Sequence, residues 1–171
     1  VVMEELCRVG ANSFNAGLSV QDDLVMPYVV DLGSDQQRAE WLPRLCVGSA
    51  IGSLALTEPG AGSDLRGIRT TARRDGDGWI LNGAKTFITS GTRADFVTTA
   101  VRTGGPGHAG VSLLVVEKGT PGFTVDRALT KMGWHCSDTA QLSYVDVRVP
   151  VENLVGEENA GFYQIAEQFV V

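Results

Sequence analysis

Residues 54–64 read LALTEPGAGSD, an apolar run that breaks into a loop with two glycines, a proline, two carboxylates and two hydroxyls. Two readings fit. In the first, Thr57 offers a hydroxyl and an N–H at the end of a strand, and Ser63 offers a second hydroxyl further along. Gly60 and Gly62 then let the backbone approach a polar ring edge or a phosphate closely. In the second, the segment is a Pro-Gly turn capped by Ser63 and Asp64. It is not a P-loop, since no Gly-Lys-Ser/Thr follows, and it contains no GxGxxG.

A second stretch, Lys85-Thr86-Phe87-Ile88-Thr89-Ser90-Gly91, places an aromatic ring and a hydroxyl two residues apart. On a strand, Phe87 and Thr89 then share a face. A stacking plane beside a hydrogen-bonding group suits a flat heteroaromatic cofactor. An ordinary strand with Phe87 in the core fits the same residues. His135, Asp138 and Thr139 form a third polar group, between strands, open to a structural or a cofactor-adjacent role.

The elements that must position these residues follow from periodicity. Val2, Leu6, Val9 and Phe14 recur at helical steps until Asn15 and Gly17 loosen the pattern. A second helix is predicted from Ser19, with Asp22 and Asp23 in its first turn, where the helix dipole favours negative charge. Pro27 is expected to kink it or to start a new helix. Gly33 suits a C-cap, and Ser34-Asp35-Gln36-Gln37 reads as a capping box opening a third helix with Trp41, Leu42 and Leu45 inward. Strands follow: 69–74 and 79–83 about the turn Asp75-Gly76-Asp77-Gly78, then 96–101, 111–116, 123–125 and 141–149. Asn82-Gly83 reads as another tight turn. Short strands without intervening helices imply an antiparallel barrel or sandwich. After residue 156 the pattern is helical again, with Phe162, Ile165, Ala166 and Phe169 on one side. The fold class is α+β: N-terminal helices, a small antiparallel β-domain, then the start of a helical bundle.

Composition narrows the function. The chain has 171 residues, 43% hydrophobic and 20% charged, with a net charge of −6. Such a surface argues against nucleic acid as a partner. No apolar run approaches the roughly 20 residues that span a bilayer. Cys7, Cys46 and Cys136 have no metal-ligand spacing, and with two histidines no metal site is expected. They read as buried or half-buried thiols of a reducing compartment. Both ends look like the middle of helices, so the sequence is read as a fragment.

Taken together, ALTEPGAGSD, GWILNGAKTFITSG, KMGWHCSDTAQLSYVDVRVPVENLVGEENAGF and the earlier GSDQQRAEWLPRLCVGSAIG resemble the acyl-CoA dehydrogenase family in order, wording and spacing. The similarity covers nearly the whole chain. It implies three parts: residues 1–52 as the end of an N-terminal helical domain, 53–156 as the middle β-domain, and 157–171 as the start of a C-terminal helical domain.

The resemblance implies noncovalent FAD and α,β-dehydrogenation of an acyl-CoA thioester. A carboxylate removes the α-proton while a hydride leaves Cβ for flavin N5, and the electrons pass to an electron-transfer flavoprotein. By similarity, Leu54, Leu56 and Thr57 lie along the pyrimidine side of the flavin. Phe87, Ile88 and Thr89 sit against the ring system, Thr89 near N5, and Ser63 contacts acyl-CoA. Phe87 stands where the family often has tryptophan, which keeps an aromatic surface without the indole N–H. Glu58 belongs to the loop framework, and the base is expected in the C-terminal part beyond this sequence, so that the fragment alone is expected to be inactive. A homotetramer or homodimer is implied for the full-length protein, with no membrane association, located in the cytoplasm or, in a eukaryote, the mitochondrial matrix. Two alternatives stay open: a flavin oxidase or monooxygenase of the same fold, and a non-catalytic binding module.

Overall fold

The computed structural model describes residues 2–169. Helix α1 (Val2–Arg8) is separated from α2 (Asn12–Ser19) by Gly10, whose φ of 77° breaks the helical path. The predicted apolar face is therefore split, and Val2, Val9 and Phe14 are all exposed. Beyond Ser19 the chain stays helical, widening into two π-helical segments, Val20–Val25 and Tyr28–Leu32. No new helix begins at Ser19, and Asp22 and Asp23 sit within a continuing one. Pro27 keeps helical angles between the two segments, so it neither ends the helix nor starts another. Gly33 closes the run in an extended conformation, not as a left-handed cap. What requires glycine there is space, since a Cβ would come within 2.4 Å of the Val29 carbonyl oxygen.

The expected capping box opens α3 (Asp35–Cys46). Ser34 Oγ accepts from the Gln37 N–H at 3.2 Å, and the Gln37 side chain accepts from the Ser34 N–H at 2.9 Å. Gln37 Nε2 also donates to the carbonyls of Glu152 and Leu154, tying the helix start to the far end of the β-region. Trp41 and Leu45 are buried, and the Trp41 ring lies 4.2 Å from that of Phe96.

Eight strands form one mostly antiparallel sheet: β1 (Gly52–Ala55), β2 (Thr71–Asp75), β3 (Gly78–Thr89), β4 (Phe96–Arg102), β5 (Val111–Glu117), β6 (Phe123–Ala128), β7 (Thr139–Pro150) and β8 (Leu154–Val155). The order is β6-β7-β3-β2-β4-β5-β8, with β1 joining β4 in parallel. Trp79, Leu81, Val97, Leu114, Leu142 and Tyr144 belong to one buried cluster contributed by the sheet and its turns alone, so the sheet curls around its own core. Phe96, Ala100, Leu113 and Val115 form a second cluster with Val25, Tyr28 and Trp41 of the helices. Burial on both faces explains why β4 and β5 lack polar alternation, with Thr98, Thr99 and Ser112 buried among their apolar residues. Helix α4 (Gly161–Gln168) ends the described chain, with Ile165 buried.

Asn82-Gly83 is not a turn. β3 runs through it, and the register against β7 shifts between Leu81 and Gly83. Gly83 has a φ of 151°, and a Cβ there would come within 2.5 Å of Thr70 Oγ1. A bulge pressed against a neighbouring strand needs glycine for the same local reasons as a turn.

Candidate functional site

Leu54, Leu56 and Thr57 follow one another along the exit of β1, and Phe87, Ile88 and Thr89 end β3. All six line one recess of about 150 Å³, with Val20, Leu24 and Phe169 completing its wall. The recess shares Leu56, Thr57 and Phe169 with a larger apolar groove of about 480 Å³, which also takes in Gly62, Ser63 and one face of α4. The seven residues that the resemblance assigned to flavin or acyl-CoA thus lie on one or the other of two adjoining cavities.

Local geometry explains how the rim is presented. The β3–β7 register shifts again between Lys85 and Ile88. Inside that bulge Phe87 has a φ of 59° and a side chain 69% exposed. The ring is therefore turned out of the core, which the ordinary-strand reading would have kept it in. Thr89 opposes Thr139 of β7, and its carbonyl accepts from Ser53 Oγ at 2.6 Å. Thr57 is fastened to β3 on both sides: its carbonyl accepts from the Thr86 N–H at 3.0 Å, and its hydroxyl donates to the Thr86 carbonyl. No hydrogen bond within the described residues takes up the Thr57 N–H or the Thr89 hydroxyl. The rim therefore offers one aromatic face, a backbone donor and a hydroxyl, a set that fits the edge of a flat ring such as flavin.

Behind the rim lies a buried ion pair. Lys85 Nζ donates to Glu58 Oε1 at 2.8 Å and to the Leu56 carbonyl at 3.0 Å, with no exposure of its side chain. Glu58 also accepts from the N–H groups of Arg69 and Thr70, at 2.8 and 3.0 Å. Burial pushes the Glu58 carboxyl up, but Lys85 and the other donors more than offset this and leave it below its ordinary value. Burial drives the Lys85 ammonium down to about 8, against the opposing pull of Glu58. The Glu58 carboxylate thus has three donors on its two oxygens, all of them holding the loop against its neighbours.

Elsewhere the sequence readings need adjustment. Gly60 and Gly62 have open space where a Cβ would sit, and neither is in the left-handed region, so the loop does not depend on glycine for its path. Asp64 caps the short turn Leu65–Gly67, and Asp64 and Arg66 are solvent-exposed and bonded to one another. The cluster of His135, Asp138 and Thr139 does not gather. His135 bonds within its own loop to the Lys131 carbonyl, while Asp138 accepts from the Thr92 N–H and hydroxyl and from Arg93. All three cysteines are exposed and unpaired, contrary to the expected burial.

Sequence reasoning passed over two contributors. Val20 and Leu24 come from the first π-helical segment, and their four-residue spacing was the available signal. Gln21 in that segment donates to the Leu45 and Ala50 carbonyls and accepts from the Gly52 N–H, which pins the start of β1. Among the described residues no group of three or more His, Cys, Asp or Glu could hold a metal ion. Among the same residues no helix is long and apolar enough to cross a membrane.

The family models agree with this architecture: the acyl-CoA dehydrogenase middle domain matches residues 53–147 and the N-terminal domain matches 1–49. The chain belongs to the acyl-CoA dehydrogenase family. Among curated relatives it is 45% identical to the pig (Sus scrofa) mitochondrial long-chain specific acyl-CoA dehydrogenase, covering 98% of this chain and 39% of that protein. Among solved structures, an acyl-CoA dehydrogenase from Geobacillus kaustophilus is 49% identical, with a TM-score of 0.93 over 98% of this chain and 44% of its own. A glutaryl-CoA dehydrogenase from Mycobacterium smegmatis in complex with FADH2 is 39% identical, with a TM-score of 0.86, covering 97% of this chain and 41% of its own. The chain thus spans about two fifths of the length of these proteins.

Proposed function

We propose that this chain is the flavin- and substrate-contacting part of an FAD-dependent acyl-CoA dehydrogenase, which removes hydrogen from Cα and Cβ of an acyl-CoA thioester. One observation carries the reading: the recess lined by residues 54, 56, 57 and 87–89 opens beside an apolar groove that holds Ser63, with Leu56 and Thr57 on both. At about 150 Å³ the recess takes the edge of a ring system, not a whole dinucleotide, for which sites are usually larger than about 300 Å³. Bound there, FAD would supply the two-electron acceptor for the Cβ–H bond.

The chain's own residues bind and orient. Phe87 would cover part of one ring face, the Thr57 N–H would donate to the ring's electron-rich edge, and the Thr89 hydroxyl would serve the ring near N5. Donors fixed on that edge favour the electron-rich state of the ring without reorganising during the reaction. Ser63 and the α4 face hold the thioester in the neighbouring groove, which brings its reacting carbons beside the recess. Neither cavity is lined by Asp or Glu among the described residues, so the proton acceptor is assigned beyond them. Electron-transfer flavoprotein is the proposed acceptor of the electrons, and a homo-oligomer the proposed assembly.

Two substitutions separate the cavities. Thr89→Val is expected to raise the FAD dissociation constant, and Ser63→Ala to raise the acyl-CoA KM with FAD binding unchanged. If both left FAD affinity and KM at wild-type values, the assignment would be wrong.

A further inference from the structure

Lys85 and Glu58 lie outside both cavities, yet they connect the two walls of the recess. Lys85 stands on β3 at the residue where the register slips and the chain begins to turn Phe87 outward. Its ammonium reaches across to the Leu56 carbonyl and the Glu58 carboxylate, the two residues that flank Thr57. Glu58 in turn grips the N–H groups of Arg69 and Thr70, which hold the end of the loop. The Thr57–Thr86 bonds lie between these anchors.

A pair buried this deeply is a poor way to stabilise a fold, because two charges lose their hydration and a volume-matched apolar pair is often as stable or more so. What it fixes well is direction. An ammonium with two acceptors at 2.8 and 3.0 Å sets the distance between the strand and the loop segment, where apolar packing would tolerate sliding.

We propose that the Lys85–Glu58 pair is a positioning device for the recess, holding the 56–58 segment against β3 so that Thr57 and the Phe87–Thr89 rim face one ring at the correct separation. The proposal rests on the reading that this recess takes the flavin. Lys85 and Glu58 do not touch the ring; they act through Thr57 and the bulge.

The test uses the FAD-loaded full-length protein. Lys85→Met alone strands a buried carboxylate and is expected to lower the melting temperature. The double variant Lys85→Met/Glu58→Leu removes both charges and is expected to recover part of that melting temperature, the remainder being lost with the acceptor of the Arg69 and Thr70 N–H groups. In the double variant the FAD dissociation constant should nonetheless stay raised by roughly tenfold or more, with a changed visible spectrum of the bound flavin. Glu58→Gln, milder in volume, should move affinity and spectrum in the same direction by less. Thr89→Val serves as the control on the flavin reading. If Thr89→Val weakens FAD binding while the double variant and Glu58→Gln match wild type in affinity and spectrum, the pair is merely structural and the proposal is overturned. If Thr89→Val has no effect either, the recess is not the flavin site, and the reading and the proposal fall together.

Discussion

Thr57 and Thr89 illustrate how little of a side chain's work is visible in its type. The Thr57 hydroxyl donates to the Thr86 carbonyl, which leaves its backbone N–H as the donor directed elsewhere. For Thr89 the hydroxyl itself is free of any partner among the described residues, so Thr89→Val should cost about 1–2 kcal/mol of FAD binding with the fold intact. Fluorescence titration with FAD alongside far-UV circular dichroism checks both halves of that expectation. Gly62 behaves differently from what a glycine-rich loop suggests. A Cβ there meets nothing within 4 Å, and the residue lines the apolar groove. Gly62→Val should therefore leave FAD affinity unchanged and raise the acyl-CoA KM by narrowing the groove; an unchanged KM would remove Gly62 from it. The types and spacing of 54–57 and 87–89 were legible in the sequence. The outward turn of Phe87 was not, since positive φ at a bulge leaves no mark when the residue is not glycine.

At the scale of elements, the strands followed from alternation and turn residues, and the capping box of α3 from Ser34 and Gln37 alone. Ser34→Ala should lower stability by about 1 kcal/mol, read as a shift in the denaturation midpoint. The helical region misled because local signals competed with continuity. Pro27 and the acidic pair at 22–23 resemble a boundary, yet the chain runs through them by widening to π-helical turns that set Gln21 against β1. Asn82-Gly83 misled in the same way: the dipeptide marks a need for glycine, and sequence alone does not say whether a turn or a bulge creates it. Gly83→Ala should cost about 1–3 kcal/mol, because its Cβ would meet Thr70. Thermal denaturation no different from wild type would show that Thr70, just before β2, can move away from β3 to admit a methyl group.

For the whole molecule, buried and half-buried carboxylates set the acid limit. Burial pushes Glu58 and Asp138 up, but the donors around each more than offset it, so both lie below their ordinary values. A carboxyl depressed in the folded state adds stability that is present above its unfolded pKa and is lost as pH falls through the folded one. The melting temperature should therefore decline as pH drops below about 4.5, the ordinary value for Glu58. Glu58→Gln should be less stable at neutral pH, with a shallower acid slope; an acid slope equal to wild type would contradict the coupling. The family was readable from four segments in order, whereas acyl-chain preference was not, because the groove is walled among the described residues by α4 alone on one side.

The most direct measurement is the visible absorption spectrum of the full-length protein loaded with FAD and titrated with acyl-CoA thioesters in the absence of oxygen. Bound flavin is expected, with absorption bands that bleach on addition of substrate and with Ser63→Ala shifting the titration to higher acyl-CoA. Reoxidation by electron-transfer flavoprotein, and not directly by oxygen, would then distinguish a dehydrogenase from an oxidase of the same fold. Failure to bind flavin, or bound flavin that no acyl-CoA bleaches, would contradict the account.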